Sequence, residues 1–442
     1  MKKIALIFAM FVCICVMMGV GTSCKKEVFD EQTYIDIVDT LSPVDEVDQN
    51  HTWTLTTKKT LIVNVNASTG ARTLQVLTAD PKTTKDAEII AQKQVSDGDQ
   101  FSMNISYPQR LTTLYAAIID NDGNYTVMSF KPSSTNRVDF SKPIYTGQKI
   151  ENTPTLQYYA FCYEEELPKP GDYDFNDVVM HLALNRTAEK EMRIHVRLSA
   201  IGASIQLAGL IRLPEIAWDD VDTVFTVNNE SFNVNMHGDE IKSQNSYVED
   251  AKMRAQILLE GKNGEPVINL FADANWAIGE ARVDENGLFN RKQYNVSYGA
   301  TTTTAETVPR EIVFVLRVKD PLVLSYLTLE DIDPFVMKLD GNARREIHTF
   351  PYRAVDALYQ NKYVDTKNLP WALVVPMSSF YHPLHAKNIG FRMKNEYTQQ
   401  SEVLYGAYRT KGHSFGEWSV NHNNATDWYL HEYATTSEVY IW

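Results

Sequence analysis

The stretch Gly171-Asp172-Tyr173-Asp174-Phe175-Asn176-Asp177-Val178-Val179 sets three oxygen-bearing side chains at alternate positions, Asp172, Asp174 and Asn176, with Asp177 directly after them. Alternate side chains of an extended or turning segment share a face, so these oxygens can converge on one hard cation. Calcium takes six to eight oxygen ligands at about 2.3–2.6 Å. Glu164-Glu165-Glu166 lies a few residues upstream, and Glu164 and Glu165 join the candidate ligand set. The opening Asp-x-Asp-x-Asn matches the start of an EF-hand loop, but the rest does not. Position six should be Gly and is Asp177; position twelve should be Glu and is Ala183. The residues after Asp177 read as a strand, not a helix. Two readings remain. One is a β-associated loop that binds Ca2+. The other is an Asx-rich turn whose side chains accept from their own backbone amides. The closely spaced carboxylates repel one another, and a divalent cation relieves that repulsion, which favours the metal.

Other chemistry finds less support. There is no Gly-x-Ser-x-Gly elbow, no His-Glu-x-x-His helix and no phosphate-binding glycine loop. Acids are abundant enough for the paired carboxylates of a glycosidase, but abundance does not locate a pair. Cys162 is a lone thiol before an acidic triplet, which raises rather than lowers a thiol pKa, so it reads as a core residue. His382 and His385 flank Pro383 too closely and with too few partners for zinc; they read as surface histidines. Between Phe350 and Trp442 there are 18 aromatic residues, a higher density than the 11% of the whole chain. Aromatic faces stack on sugar rings, and Trp418 and Trp428 are the candidates for such a surface. A core or domain seam built from Tyr and Trp is the favoured reading of the region as a whole. The reading is a non-catalytic binding, adhesion or structural protein with a calcium loop. The alternative is a carbohydrate-active protein that binds or hydrolyses glycans.

The elements that must position these residues are strands. Thr60–Asn66, Arg72–Thr78, Leu111–Ile119 and Tyr125–Phe130 are short and β-branched, and Asp120-Asn-Asp-Gly-Asn124 is a hairpin turn. They predict a β-sandwich over 52–132, with a linker at 133–153 rich in turn residues. The block 154–442 is also β-rich. In Met192–Ala200, Met192, Ile194, Val196 and Leu198 face one way and Arg193, His195, Arg197 and Ser199 the other. That is a half-buried antiparallel strand, with His195 on its solvated face. Long helical periods are scarce, so the fold is predicted to be all-β with few helices.

Composition sets the setting. A chain that is 44% hydrophobic and 22% charged is globular rather than disordered. The net charge of −14 argues against nucleic acid, whose binding rests on clustered Lys and Arg. Lys2 and Lys3, an apolar stretch from Ile4 to Gly21, and Thr22-Ser23-Cys24 have a secretory layout over 1–23. Gly21-Thr22-Ser23-Cys24 resembles a bacterial lipobox without its usual leucine. Cys24 is then the acylated N-terminus and holds the protein to a membrane. Residues 24–51 are polar and acidic and read as a tether.

The loop Gly171–Val179 as a whole resembles the hallmark of the LruC domain family of cell-envelope lipoproteins. Tyr163-Glu164-Glu165 stands where that family carries Phe-Glu-Asp. Asp333–Val336, Arg345–His348, Asn368–Leu373 with Val375-Pro376, and the closing Ala407-Tyr408, Phe415, Trp418 and Asp427-Trp428-Tyr429 resemble its later blocks. The resemblance spans about 155–430. It implies a sandwich or jelly-roll domain and an outer-membrane lipoprotein facing the periplasm or the cell surface. It implies no known reaction.

Overall fold

Period-two patterning makes strands where the sequence predicts them, and two β-sandwich regions result. The computed structural model describes residues 47–65, 70–140, 147–230, 232, 248–249, 257–260, 265–279, 282–283, 289–299, 303–340, 343–349, 363–394 and 402–442. The signal segment 1–23, Cys24 and residues 25–46 of the expected tether lie outside these. Among the described residues no helix is long and apolar enough to cross a membrane.

The first region packs a three-stranded sheet on a five-stranded one. In the smaller sheet Thr56–Asn64 lies between Gln100–Pro108 and Arg137–Asp139. The larger sheet runs Tyr125–Phe130, Leu114–Asp120, Ala71–Leu77, Glu88–Gln94, Thr155–Leu156. Leu61, Val63, Leu74, Val76, Met103, Ile105, Ala116 and Ile118 fill the space between the sheets. At the hairpin tip Asp120 Oδ1 accepts from the amides of Asp122 and Asn124, each at 2.9 Å, so those acids serve the turn.

The segment expected to be a linker is partly inside this sandwich. Val138 and Phe140 are buried between exposed Arg137 and Asp139, so the alternation of a strand is present there in miniature. Thr155–Leu156, from beyond that segment, adds in parallel to Glu88–Gln94. Residues from Ser42 to Trp442 cluster as one unit.

The second region holds two six-stranded antiparallel sheets. One runs Val221–Thr226, Arg310–Val318, Glu191–Ala200, Val178–Ala188, Tyr159–Tyr163, Ala372–Val375. The other runs Val248–Glu249, Ile257–Glu260, Glu265–Phe271, Ala208–Arg212, Asp333–Asp340, Ala343–Ile347. The Tyr163 hydroxyl on the first donates to the Pro334 carbonyl on the second at 2.6 Å. Met192, Ile194, Val196 and Leu198 are buried as the alternation requires. His195, half-buried on the opposite face, meets Glu311 at 3.4 Å. Cys162 is buried, and burial pushes its thiol pKa up.

The C-terminal aromatics form a core, not a surface. Ser414 Oγ accepts from the Glu417 amide at 3.1 Å and starts the short helix Phe415–Val420, so Phe415 and Trp418 share one face. Trp418 and Trp428 are each 0% exposed and pack against Phe415, Trp53 and Tyr408. The expectation that these two tryptophans line a ligand surface is therefore corrected. Burying each removes roughly 200 Å² from water. His382 is also corrected from surface to core: its Nε2 donates to the Asn295 carbonyl at 2.7 Å, and burial lowers its pKa to about 4. His385 is exposed. The end of the expected tether is docked on the same core. Val47, His51 and Trp53 are buried, and the Asp48 amide donates to the Ser419 carbonyl at 3.1 Å.

Candidate metal centre

The acidic loop is the connection between two neighbouring strands. Tyr159–Tyr163 ends at Glu164, and Val178–Ala188 begins after Asp177; Val178 pairs with Tyr163. The loop between them must therefore return to where it started. It closes through the Asp177 amide, which donates to the Tyr163 carbonyl at 3.1 Å, and the Glu165 amide, which donates to Asp177 Oδ2 at 2.7 Å. On the other side of Tyr159–Tyr163, Ala372–Val375 covers the loop's entry, and the Glu164 amide donates to the Trp371 carbonyl at 2.8 Å. This cover buries Glu164.

Local backbone geometry turns the acids inward. Tyr173 and Phe175 have φ of 57° and 52°, a left-handed conformation that costs non-glycine residues about 1–2 kcal/mol each. Their rings hold them there. Tyr173 packs edge-on to Phe391 at 5.1 Å and donates its hydroxyl to Asp365 at 3.1 Å, while Phe175 lies 6.4 Å from Phe415. With both rings in the aromatic core, Asp172 and Asp174 come to face Glu164. Gly171 is needed for the approach: a Cβ there would stand 2.0 Å from Glu164 Oε2 and 3.0 Å from Glu166 Oε2.

The carboxylates fall into two triads that share one member. Glu164, Asp172 and Asp174 bring an oxygen each within 4.8 Å of one another, and so do Glu164, Glu166 and Asp177. Glu164 Oε1 accepts from the Phe175 amide at 2.5 Å, but Oε2 meets no donor although the residue is 1% exposed. Glu166 Oε2 is likewise buried without a donor. Asp174 is better served, accepting from the amides of Asn176 at 3.1 Å and Ala386 at 2.7 Å.

Without a cation this arrangement resists ionisation. Burial, followed by Asp174, Asp177, Asp172 and Glu166, raises Glu164 well above the usual carboxylate range. Burial and then Asp172 raise Asp174; burial, Glu166 and Asp174 raise Asp177. Burial and then Glu165 push Glu166 up to about 7.

Of the residues the sequence singled out, the structure brings Glu164, Asp172, Asp174 and Asp177 together. Glu165 turns aside to Lys338, whose Nζ lies 3.7 Å from its carboxylate. The Asn176 side-chain nitrogen donates to the Pro383 carbonyl at 3.1 Å, and its Oδ1 is also buried without a donor but lies against Gly202. Glu166, which the sequence reading left out of the ligand set, takes part instead. The signal was available: Glu164 and Glu166 are two apart on a chain leaving a strand, so they share a face. The donor set is all oxygen and all carboxylate, which suits a hard divalent cation such as calcium and offers nothing soft for zinc or copper.

Residues 190–399 match a domain of unknown function, DUF4842; the match begins downstream of the acidic loop. No curated protein matches the chain. A solved structure described as a "Putative lipoprotein from Bacteroides ovatus" is similar at 15% identity and a TM-score of 0.46, over 82% of this chain and 99% of that one.

Proposed function

We propose that this is a lipid-anchored envelope protein, held to the membrane through Cys24, with a binding or structural role rather than a catalytic one, and that calcium completes its fold at the acidic loop. One observation carries the calcium reading. Glu164 is buried among four other carboxylates and has an oxygen that no donor reaches. An Asx-rich turn would spend its oxygens on its own amides, as Asp120 does at its hairpin. Glu164 Oε2 and Glu166 Oε2 are not spent in that way. A buried carboxylate oxygen left without a donor or cation costs more than a hydrogen bond returns elsewhere. The anchor rests on the lipobox-like Gly21-Thr22-Ser23-Cys24 after its apolar stretch.

The test is the melting temperature of the full chain in EGTA and in millimolar CaCl2. Ligand at about 100 times its Kd stabilises by about 2.7 kcal/mol, so calcium should raise the melt by several degrees. Glu164→Gln keeps an oxygen for the Phe175 amide but loses the anion, and should abolish the rise. A melt that neither chelator nor calcium moves would make the loop an ordinary turn. Incorporation of labelled fatty acid, lost in Cys24→Ser, tests the anchor independently.

A further inference from the structure

We infer that the loop holds two calcium ions, with the Glu164 carboxylate bridging them; this rests on the reading of the loop as a calcium site. The five acids do not form one ring of ligands. They form two triads, Glu164–Asp172–Asp174 and Glu164–Glu166–Asp177, that meet at Glu164. The two triads are built from different ends of the loop. Asp177 is fixed at the strand junction by the Glu165 amide, with Glu166 beside it. Asp172 and Asp174 are fixed on the side of residues 386–388. There the Ala386 amide donates to Asp174 at 2.7 Å, and the Asn388 side chain donates to the Asp172 carbonyl at 3.2 Å.

Free ligand atoms point to an occupant in the middle. Glu164 Oε2 is buried with no donor, and so is Glu166 Oε2; both face the bare Cα of Gly171. Glu164 offers the unpartnered Oε2 and the remaining lone pair of Oε1, which also accepts from the Phe175 amide, and a bridging carboxylate spans the roughly 3.5–4 Å that separates the ions of two-metal sites. The charge count agrees. Five carboxylates carry five negative charges when ionised, so one divalent ion leaves three uncompensated and two leave one. Neighbouring cations do not close that gap: Lys338 acts on both Glu165 and Glu166, so its single charge offsets no more than that of Glu165, and the exposed His385 lies 3.9 Å from Asp174. Each ion would complete its six to eight oxygens with backbone carbonyls and water.

The experiment is calcium stoichiometry on the full chain, by native mass spectrometry and by calorimetric titration with CaCl2. Two ions per chain are expected for the wild type. One is expected for Glu166→Gln and one for Asp172→Asn; these two positions are partly or fully exposed, and circular dichroism checks that both variants fold. A wild type that binds a single ion overturns the two-ion site while leaving the calcium loop standing. A wild type that binds none overturns both. Two ions that neither substitution reduces also overturn the proposal, because they would lie elsewhere.

Discussion

If calcium fills the loop as proposed, it competes with protons for the same oxygens, so its stabilisation must grow with pH. In the metal-free fold, burial and neighbouring acids raise Glu164, Asp174 and Asp177 well above ordinary carboxylates and bring Glu166 to about 7. The unfolded chain releases these protons near pH 4. Between those limits the folded chain binds more protons than the unfolded one, and its stability falls as pH rises. This is the reverse of the usual salt-bridged carboxylate, whose stability is lost as pH falls. Each group held protonated only in the folded state costs about 1.36 kcal/mol per pH unit. For Glu166 the window runs from the ordinary 4.5 to about 7, a ceiling of about 3 kcal/mol, which partial exposure reduces to about 1–2 kcal/mol. The more deeply buried acids extend the window upward.

Calcium bound as proposed would remove this cost, because ligating carboxylates stay ionised. Melts from pH 5 to 8 should therefore diverge: in EGTA the temperature falls with pH, in CaCl2 it stays level. At about 2 °C or less per kcal/mol for a chain of this size, the gap should widen by several degrees. Calcium titration in two buffers of different ionisation enthalpy should show at least one proton released per chain at pH 7. Parallel melting curves with no proton release would refute the reasoning. The carboxylates would then be ionised before metal arrives, and the repulsion derived from their burial would be wrong.

Two further outcomes follow from single contacts. Gly171→Ala places a methyl 2.0 Å from Glu164 Oε2 and should weaken calcium binding tenfold or more by titration, with an unchanged far-ultraviolet spectrum. His348 is buried between Asp333 at 2.7 Å and Glu346 at 2.9 Å; burial alone would lower its pKa, but Asp333 and then Glu346 outweigh it and raise it. Its stabilisation is full below about pH 6.5 and is lost as pH rises through the folded value. Denaturant titration should show the deficit of His348→Gln shrinking as pH rises above neutrality; a deficit independent of pH would assign His348 to packing alone.

Much of the fold was legible because a strand with one wet face advertises itself. Met192–Ala200 alternates in sequence and in burial. Strands lacking that signature escaped: Glu88–Gln94 (EIIAQKQ) is half-buried along most of its length, and Tyr159–Tyr163 is buried on both faces. Tyr159–Tyr163 is the strand that delivers Glu164 to the loop. In the loop, types and spacing drew attention to Asp172, Asp174 and Asp177, but not to which upstream acid would turn in. That choice depends on strand exit, which sets Glu164 and Glu166 on one face and sends Glu165 to Lys338. Asn176 shows the converse. The left-handed turn at Phe175 breaks the simple alternation, so Asn176, in phase by sequence, gives its side-chain nitrogen to Pro383 and turns its Oδ1, buried without a donor, toward Gly202. Aromatic density could not tell inside from outside, because a tryptophan has the same apolar body in a core as on a sugar-binding face. Trp418 is placed inside by its partners His51 and Trp53, more than 360 residues earlier.

That long reach gives the loop its weight in the fold. Residues 164–177 touch several parts of the chain that are remote in sequence. Glu164 is held by the strand at Trp371, Asp174 by the amide of Ala386, and the rings of Tyr173 and Phe175 by Phe391 and Phe415. The same segment starts the central strand Val178–Ala188. If its acids are left to repel, the strain falls at the junction between the sheet and the aromatic core rather than in a surface loop. Neutralising them fixes contacts more than 200 residues apart at once. Ordering a long-range junction is where a bound ion adds most, because the loop entropy it removes grows with the chain it closes. Extracellular calcium modules bind with Kd of about 10⁻⁴–10⁻³ M, and a site of that strength would stay empty in a calcium-poor compartment and fill outside it. On that footing, and if the chain is exported as proposed, the ion would lock the C-terminal layer onto the sheet only after export.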